Sequence, residues 1–139
     1  GSDQASGNNV NNVFNEIKLT ALFNKIMARD PKVMSAWEVL RMATIEGAQA
    51  IGLGDEIGSL EAGKQADLAL FKLDELRHSG YHDPLAALVL CGASRADRVM
   101  IGGQWKVIDA RASHIDEADL IHRHSNAAQV LRTRAGLSA

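Results

Sequence analysis

Only three stretches of this chain have the short, apolar, turn-bounded form of a β-strand, and that scarcity constrains the fold more than any other feature. Residues 67–71 (Asp-Leu-Ala-Leu-Phe) read as a lone buried strand. Residues 98–101 and 105–108 flank Gly102-Gly103-Gln104 and read as a hairpin. Three strands cannot close a sheet, so their edges need cover from helices or from strands outside this sequence. The rest reads as helix. Val13, Ile17, Leu19, Leu22, Phe23 and Ile26 recur at threes and fours, which predicts a helix of about 18 residues ended by Asp30-Pro31. Ser35 with Glu38 has the form of a capping box, and Trp37, Leu40, Ile45 and Ala48 predict one apolar face behind it, closed by Gly52 and Gly54. Asp83-Pro84 opens an apolar helix over residues 85–91. A last helix, from Asp116 to about Arg134, is expected to turn Leu120, Ile121, Ala128 and Leu131 inward.

The opening residues, Gly1-Ser2-Asp3-Gln4-Ala5-Ser6-Gly7-Asn8-Asn9, look like the exit of a strand into a polar loop, as if the chain were the back part of an enzyme. By spacing alone Asp3 reads as a loop or helix-capping carboxylate. Composition narrows the partners. With 15 basic and 17 acidic residues the formal charge is −2, which gives no electrostatic case for nucleic acid or an anionic membrane. The apolar runs fall far short of the roughly 20 residues of a membrane span, and no signal peptide is visible. The single cysteine, Cys91, fits a cytoplasmic location, rules out a cysteine-based zinc cluster and is expected to be a buried structural thiol.

Most nucleophile and cofactor signatures are absent. There is no Gly-x-Ser-x-Gly elbow or phosphate loop, and Gly52-Leu53-Gly54 lacks the third glycine of a dinucleotide fingerprint. His122 and His124 stand two apart on a predicted helix, where they diverge and read as a solvated pair. His114 is alone, and His78 and His82 lack further ligands nearby. Trp37 and Trp105 read as core or interface aromatics.

The segment Gly58-Ser59-Leu60-Glu61-Ala62-Gly63-Lys64-Gln65-Ala66-Asp67-Leu68 is the most distinctive. On physical grounds it is a scaffold turn in which Lys64 and Asp67 pair or bond local backbone. It closely resembles the stretch by which metal-dependent amidohydrolases return from their barrel to a small β-sandwich lobe. Leu40-Arg41-Met42-Ala43-Thr44-Ile45-Glu46-Gly47-Ala48 resembles the family's final barrel helix region, and Val99-Met100-Ile101-Gly102-Gly103-Gln104-Trp105 its late hairpin. The resemblance implies an α/β chain: the C-terminal end of a (β/α)8 metallo-hydrolase barrel plus part of a β-sandwich lobe, ending in a helix. Its implied segments are residues 1–54 for the last barrel strand end and following helices, 55–115 for the lobe with an inserted helix, and 116–139 for the terminal helix.

Within the deaminase and chlorohydrolase branch, Gly1-Ser2-Asp3 matches the end of the eighth barrel strand. The match implies that Asp3 is both a catalytic residue and a ligand to Zn²⁺ or Fe²⁺, the remaining ligands lying outside this chain. Ser6 and Asn8 are the substrate-binding candidates. The implied substrate is a small aminated heterocycle, and the implied partner is a missing N-terminal barrel portion of a homo-oligomeric parent. Residues 1–73 are similar to methylthioadenosine/S-adenosylhomocysteine deaminases. The stretch from His78 through Gly92, with Arg95-Ala96-Asp97-Arg98-Val99, is similar to 8-oxoguanine deaminases and hydroxydechloroatrazine ethylaminohydrolases. An 8-oxoguanine-type ring is the favoured substrate, with an s-triazine or S-adenosylhomocysteine-type substrate as the alternative. The isolated fragment is expected to be inactive, because one carboxylate is too few ligands for a metal. The competing non-enzymatic reading is a stand-alone α/β assembly module with Trp37, Trp105 and the helix over 85–90 at an interface.

Overall fold

The computed structural model describes residues 12–93 and 95–137; Asp3, Ser6 and Asn8 lie outside the described residues. The first helix, α1 (Val13–Ala28), begins at Asn12, whose side chain accepts a hydrogen bond from the Phe14 amide at 3.0 Å. Its 16 residues fall about two short of the expected length. Arg29 adopts a left-handed backbone (φ 53°), the Arg29 amide donates to Ile26 and the Asp30 amide to Lys25. That is a Schellman ending with arginine in the usual glycine place. Lys25 bridges the turn beyond it, its ammonium donating to the carbonyls of Pro31 and Val33.

The capping box forms as expected. The Ser35 hydroxyl accepts from the Glu38 amide at 3.3 Å and the Glu38 carboxylate accepts from the Ser35 amide at 2.6 Å. The helix behind it, however, is split at Thr44 into α2 (Ala36–Ala43) and α3 (Ile45–Ala50). Thr44 leaves the helical region (φ −123°, ψ −99°), and its hydroxyl donates to the Leu40 carbonyl at 2.7 Å. A threonine side chain that takes the carbonyl one turn back competes with the helix ladder at this break. The buried positions are Val39 and Ala48, while Trp37, expected inward, is 58% exposed.

The strands form one open antiparallel sheet in the order β1 (Leu68–Leu70), β2 (Arg98–Ile101), β3 (Gln104–Ile108), β4 (Arg111–Ala112). Leu68 pairs with Met100 and Leu70 with Arg98. A bulge between Val99 and Met100 shifts the β2–β3 register. The hairpin loop is Gly102-Gly103, with φ of 55° and 76°, so both central residues occupy the region that two-residue hairpin turns of the primed type need. The sequence reading missed β4. Asp109 and Ala110, at φ 51° and 60°, make the turn into it without glycine. The lone strand is not buried as expected, since Ala69 and Leu70 are exposed.

Between β1 and β2 the chain makes a short 3₁₀ turn, Leu76–His78. A helix follows that is α-wound over α4 (Pro84–Ala86) and π-wound over Ala87–Cys91. Asp83 caps it as predicted, its carboxylate accepting from the Leu85 and Ala86 amides. Ala87 and Val89 are buried, whereas Cys91, expected to be buried, is exposed at the end of the π-wound turn. The final helix α5 (Glu117–Arg134) also runs where expected but buries no residue. Leu120, Ile121, Ala128 and Leu131 face solvent, which corrects the expectation that they turn inward.

The core is small. Ile17 and Ala21 of α1, Val39 of α2 and Val89 of the π-wound turn form it, with Phe14, Met34, Leu85 and Leu90 packed around them. Among the described residues the architecture is therefore a helical layer beside an open four-stranded sheet. No described strand pair is parallel, so the described residues contain no pair of barrel strands.

Candidate active-site segment and its supports

The sequence candidates Asp3, Ser6 and Asn8 precede the described residues, which begin at Asn12. Three contacts fix where α1 starts. Asn12 caps it, Ile17 buries one turn later, and the Phe14 ring meets the Phe71 ring edge-on at 4.9 Å. The start of α1 is thus tied both to the core and to the residue after β1. The first turn carries Glu16, a carboxylate at the end of the helix that favours negative charge.

The distinctive turn is built around Lys64 and Gly58. The Lys64 ammonium is largely buried and donates to the Gly54 carbonyl at 2.6 Å and to the Ser59 hydroxyl at 2.7 Å, with Glu61 3.5 Å away. The Ser59 hydroxyl in turn donates to Glu61. That hydrogen bond, followed by the Lys64 charge, holds the Glu61 carboxyl below its ordinary range. Asp67 does not pair with Lys64. Its carboxylate accepts from the Gly102 amide at 2.7 Å, and the Gly103 amide donates to Ala66, so the hairpin tip is tied to the start of β1. At Gly58 (φ 92°) an added Cβ would lie 2.8 Å from the Ala48 methyl and 2.9 Å from the Ile45 Cα. This turn thus lies directly on α3, and the scaffold reading holds for it.

The histidines do not converge. Among the described residues no three His, Cys, Asp or Glu side chains stand close enough to hold a metal ion, so the only metal donor proposed from this chain is Asp3. A carboxylate suits zinc chemically, but a protein site for zinc takes three or four ligands. His122 is exposed and bonded to Asn126 at 3.0 Å, and His82, His114 and His124 are exposed. His78 differs from these. It is the one fully buried polar side chain among the described residues, with Nε2 2.8 Å from the Gly92 carbonyl. A carbonyl can only accept, so Nε2 carries the proton, and Nδ1 is buried without a partner. His78 therefore pins the backbone at the end of the π-wound turn. Sequence reasoning did not find this burial, because Arg77, Ser79 and Gly80 beside it carry no apolar signal.

On the sheet, Lys72 reaches Asp97 at 2.6 Å, and that hydrogen bond, reinforced by the carboxylate charge, raises the Lys72 ammonium above its usual range. A shallow depression of about 300 Å³ is lined by Arg95, Val107, Ala110, Ala112 and Glu117. Its charged groups, Arg95 and Glu117, pair with each other at 3.3 Å and leave no free acid or base for chemistry.

The profile of the amidohydrolase family matches residues 1–106. The 8-oxoguanine deaminase of Pseudomonas aeruginosa is 47% identical over 131 residues, covering 94% of this chain and 29% of that protein. The 5-methylthioadenosine/S-adenosylhomocysteine deaminase of Teredinibacter turnerae is 40% identical over 108 residues, covering 77% and 24%. Among solved structures, a zinc-bound adenosine deaminase from Xanthomonas campestris superimposes with a TM-score of 0.90 at 34% identity, over 96% of this chain and 30% of its own. The chain thus spans less than a third of each protein it resembles.

Proposed function

The chain belongs to the amidohydrolase family, and from that premise we propose that it forms the C-terminal part of a zinc-dependent hydrolase that removes an amino group from a purine-like ring, 8-oxoguanine in type. The observation that carries the reading is the 47% identity to an 8-oxoguanine deaminase across 94% of the chain. The shared fold with a zinc-bound deaminase at a TM-score of 0.90 supports it.

In this reading Asp3 closes a ligand set supplied by the preceding part of the whole protein. Zinc, when bound, would lower the pKa of a water to about 7 and so provide hydroxide at neutral pH. The Asp3 carboxylate takes the proton that the water gives up and returns it to the departing amine. The ring carbon gains an oxygen, loses its nitrogen and releases ammonia. Ser6 and Asn8, which follow Asp3 closely in sequence, would donate to or accept from the ring edge. Such hydrogen bonds discriminate between rings that differ in one exocyclic group.

The test is to express the whole protein and follow ammonia release from 8-oxoguanine, guanine, S-adenosylhomocysteine and hydroxyatrazine, before and after chelation and zinc restoration. Activity lost on chelation, regained with zinc and highest on 8-oxoguanine is expected. Turnover indifferent to the chelator, or none on any of the four, would overturn the reading.

A further inference from the structure

Helix α5 is the longest of the described helices, yet it buries no residue. Its side chains are nonetheless sorted. Ile121, His124, Ala128 and Leu131 recur at spacings of three and four, and Leu120 and Ala127 border them. At about 100° per residue these six occupy roughly a third of the circumference. The opposite side carries His122, Asn126, Gln129 and Thr133, and Val130 is the one large apolar residue of the helix outside the stripe. Ile121 and Leu131 are 65% and 71% exposed. The charges divide along the axis as well. Glu117 and Asp119 stand in the first turn, Arg132 and Arg134 in the last. Glu117 holds Arg95 and Asp119 holds Arg123, whereas neither Arg132 nor Arg134 has an ion pair among the described residues.

We infer that this stripe is a contact between two copies of the whole protein, in which the α5 helices lie antiparallel about a twofold axis. The contact goes beyond the proposed chemistry, because α5 carries no residue assigned to it. Self-complementarity selects a second copy as the occupant. Reversing the helix on itself, about an axis at the level of Asn126, sets Ile121 of one copy opposite Leu131 of the other. It also sets His124 opposite Ala128, an imidazole against a methyl. The same reversal brings Arg132 and Arg134 of one copy to either side of Glu117 of the other, so the unpaired arginines meet the acidic end. His124, the polar residue inside the stripe, fixes the register, as one polar group in an apolar helix seam does. The family profile ends at residue 106, ahead of α5, so the cover of this helix is no part of what that profile describes.

The experiment uses the whole protein with Cys91→Ser as background, into which Ile121→Cys and Leu131→Cys are introduced together and singly. Within one helix the two positions lie about 15 Å apart, too far for a disulfide. After mild oxidation the double variant should run as a covalent dimer whose digest holds a disulfide from position 121 to position 131. Neither single variant should link to its own copy. Absence of that peptide overturns the inference, as do single variants that link as readily as the double. So does an unsubstituted protein that sediments as one chain across the micromolar range. Charge reversal supplies a readout that leaves the apolar stripe intact. Arg132→Glu with Arg134→Glu should raise the dimer dissociation constant by about tenfold or more, and adding Glu117→Arg should bring it back. A triple variant no tighter than the double would also refute the antiparallel pair.

Discussion

Phe14 and Phe71 meet edge to face, their ring centroids 4.9 Å apart and their planes at 80°. One ring belongs to the first turn of α1 and the other follows β1, so this contact joins the helical layer to the sheet. Aromatic pairs of this geometry contribute about 0.5–1.5 kcal/mol beyond the area they bury. A double-mutant cycle of Phe14→Leu and Phe71→Leu should return a coupling energy in that range when urea unfolding is followed. Simple additivity of the two substitutions would show that the rings act only as bulk.

Gly58→Ala is expected to destabilise the protein by about 2–4 kcal/mol, combining a left-handed backbone with overpacking against Ala48 and Ile45. Gly63, also at positive φ but with open space around it, isolates the backbone contribution. Gly63→Ala should cost only about 1 kcal/mol. Equal losses at the two positions in thermal melts would contradict the close approach at Gly58.

Acid titration should expose the capping box. The Glu38 carboxyl is held below its ordinary value, first by the Ser35 hydroxyl and then by the Ser35 amide. The unfolded chain therefore takes up this proton first. The stabilisation is complete above the ordinary glutamate pKa and fades as the pH falls from there through the lower folded value. Ser35→Ala should flatten that part of the acid limb in urea midpoints collected against pH. Lys72 has the opposite sign: raised by Asp97, it stabilises below the ordinary lysine pKa and ceases to do so as the pH rises through the higher folded value. Asp97→Asn should remove that alkaline dependence.

If Asp3 has the proposed role, Asp3→Ala in the whole protein should lower kcat/KM by a factor of about 10³ or more, because losing a ligand and proton acceptor would remove several kcal/mol of transition-state stabilisation. Bound zinc should fall in parallel when measured by atomic absorption. Full zinc content with full turnover would return Asp3 to the role of a loop residue.

Local chemistry was legible wherever the determinant sits within a few residues. Ser35 with Glu38, Asp83-Pro84 and Gly102-Gly103 each specify a cap or a turn without help from the rest of the fold, and each forms. Apolar spacing was less informative, because it marks a face that wants cover without naming the cover. Leu120, Ile121 and Leu131 do form one side of α5, yet nothing among the described residues packs on them. The break at Thr44 escaped notice because a threonine hydroxyl chooses between solvent and the Leu40 carbonyl only once the chain is folded. Cys91 was misjudged for a similar reason, since neither its apolar neighbours nor their spacing reveals a π-wound turn. The family was legible in the turn after Gly58 and the segments around it, whereas the role proposed for Asp3 falls outside the described residues. The burial of His78 was not legible, for its partner is a backbone carbonyl 14 residues away.

The Gly102-Gly103 tip has the composition of a loop at which a tag or a guest domain would ordinarily be inserted. Its two amides are nevertheless spent on Asp67 and Ala66. An insertion there would cut the ties that hold the free edge strand to its neighbours at that end of the sheet. The turn at Gly80, exposed and with open space around its Cα, is the better graft point for protein engineering.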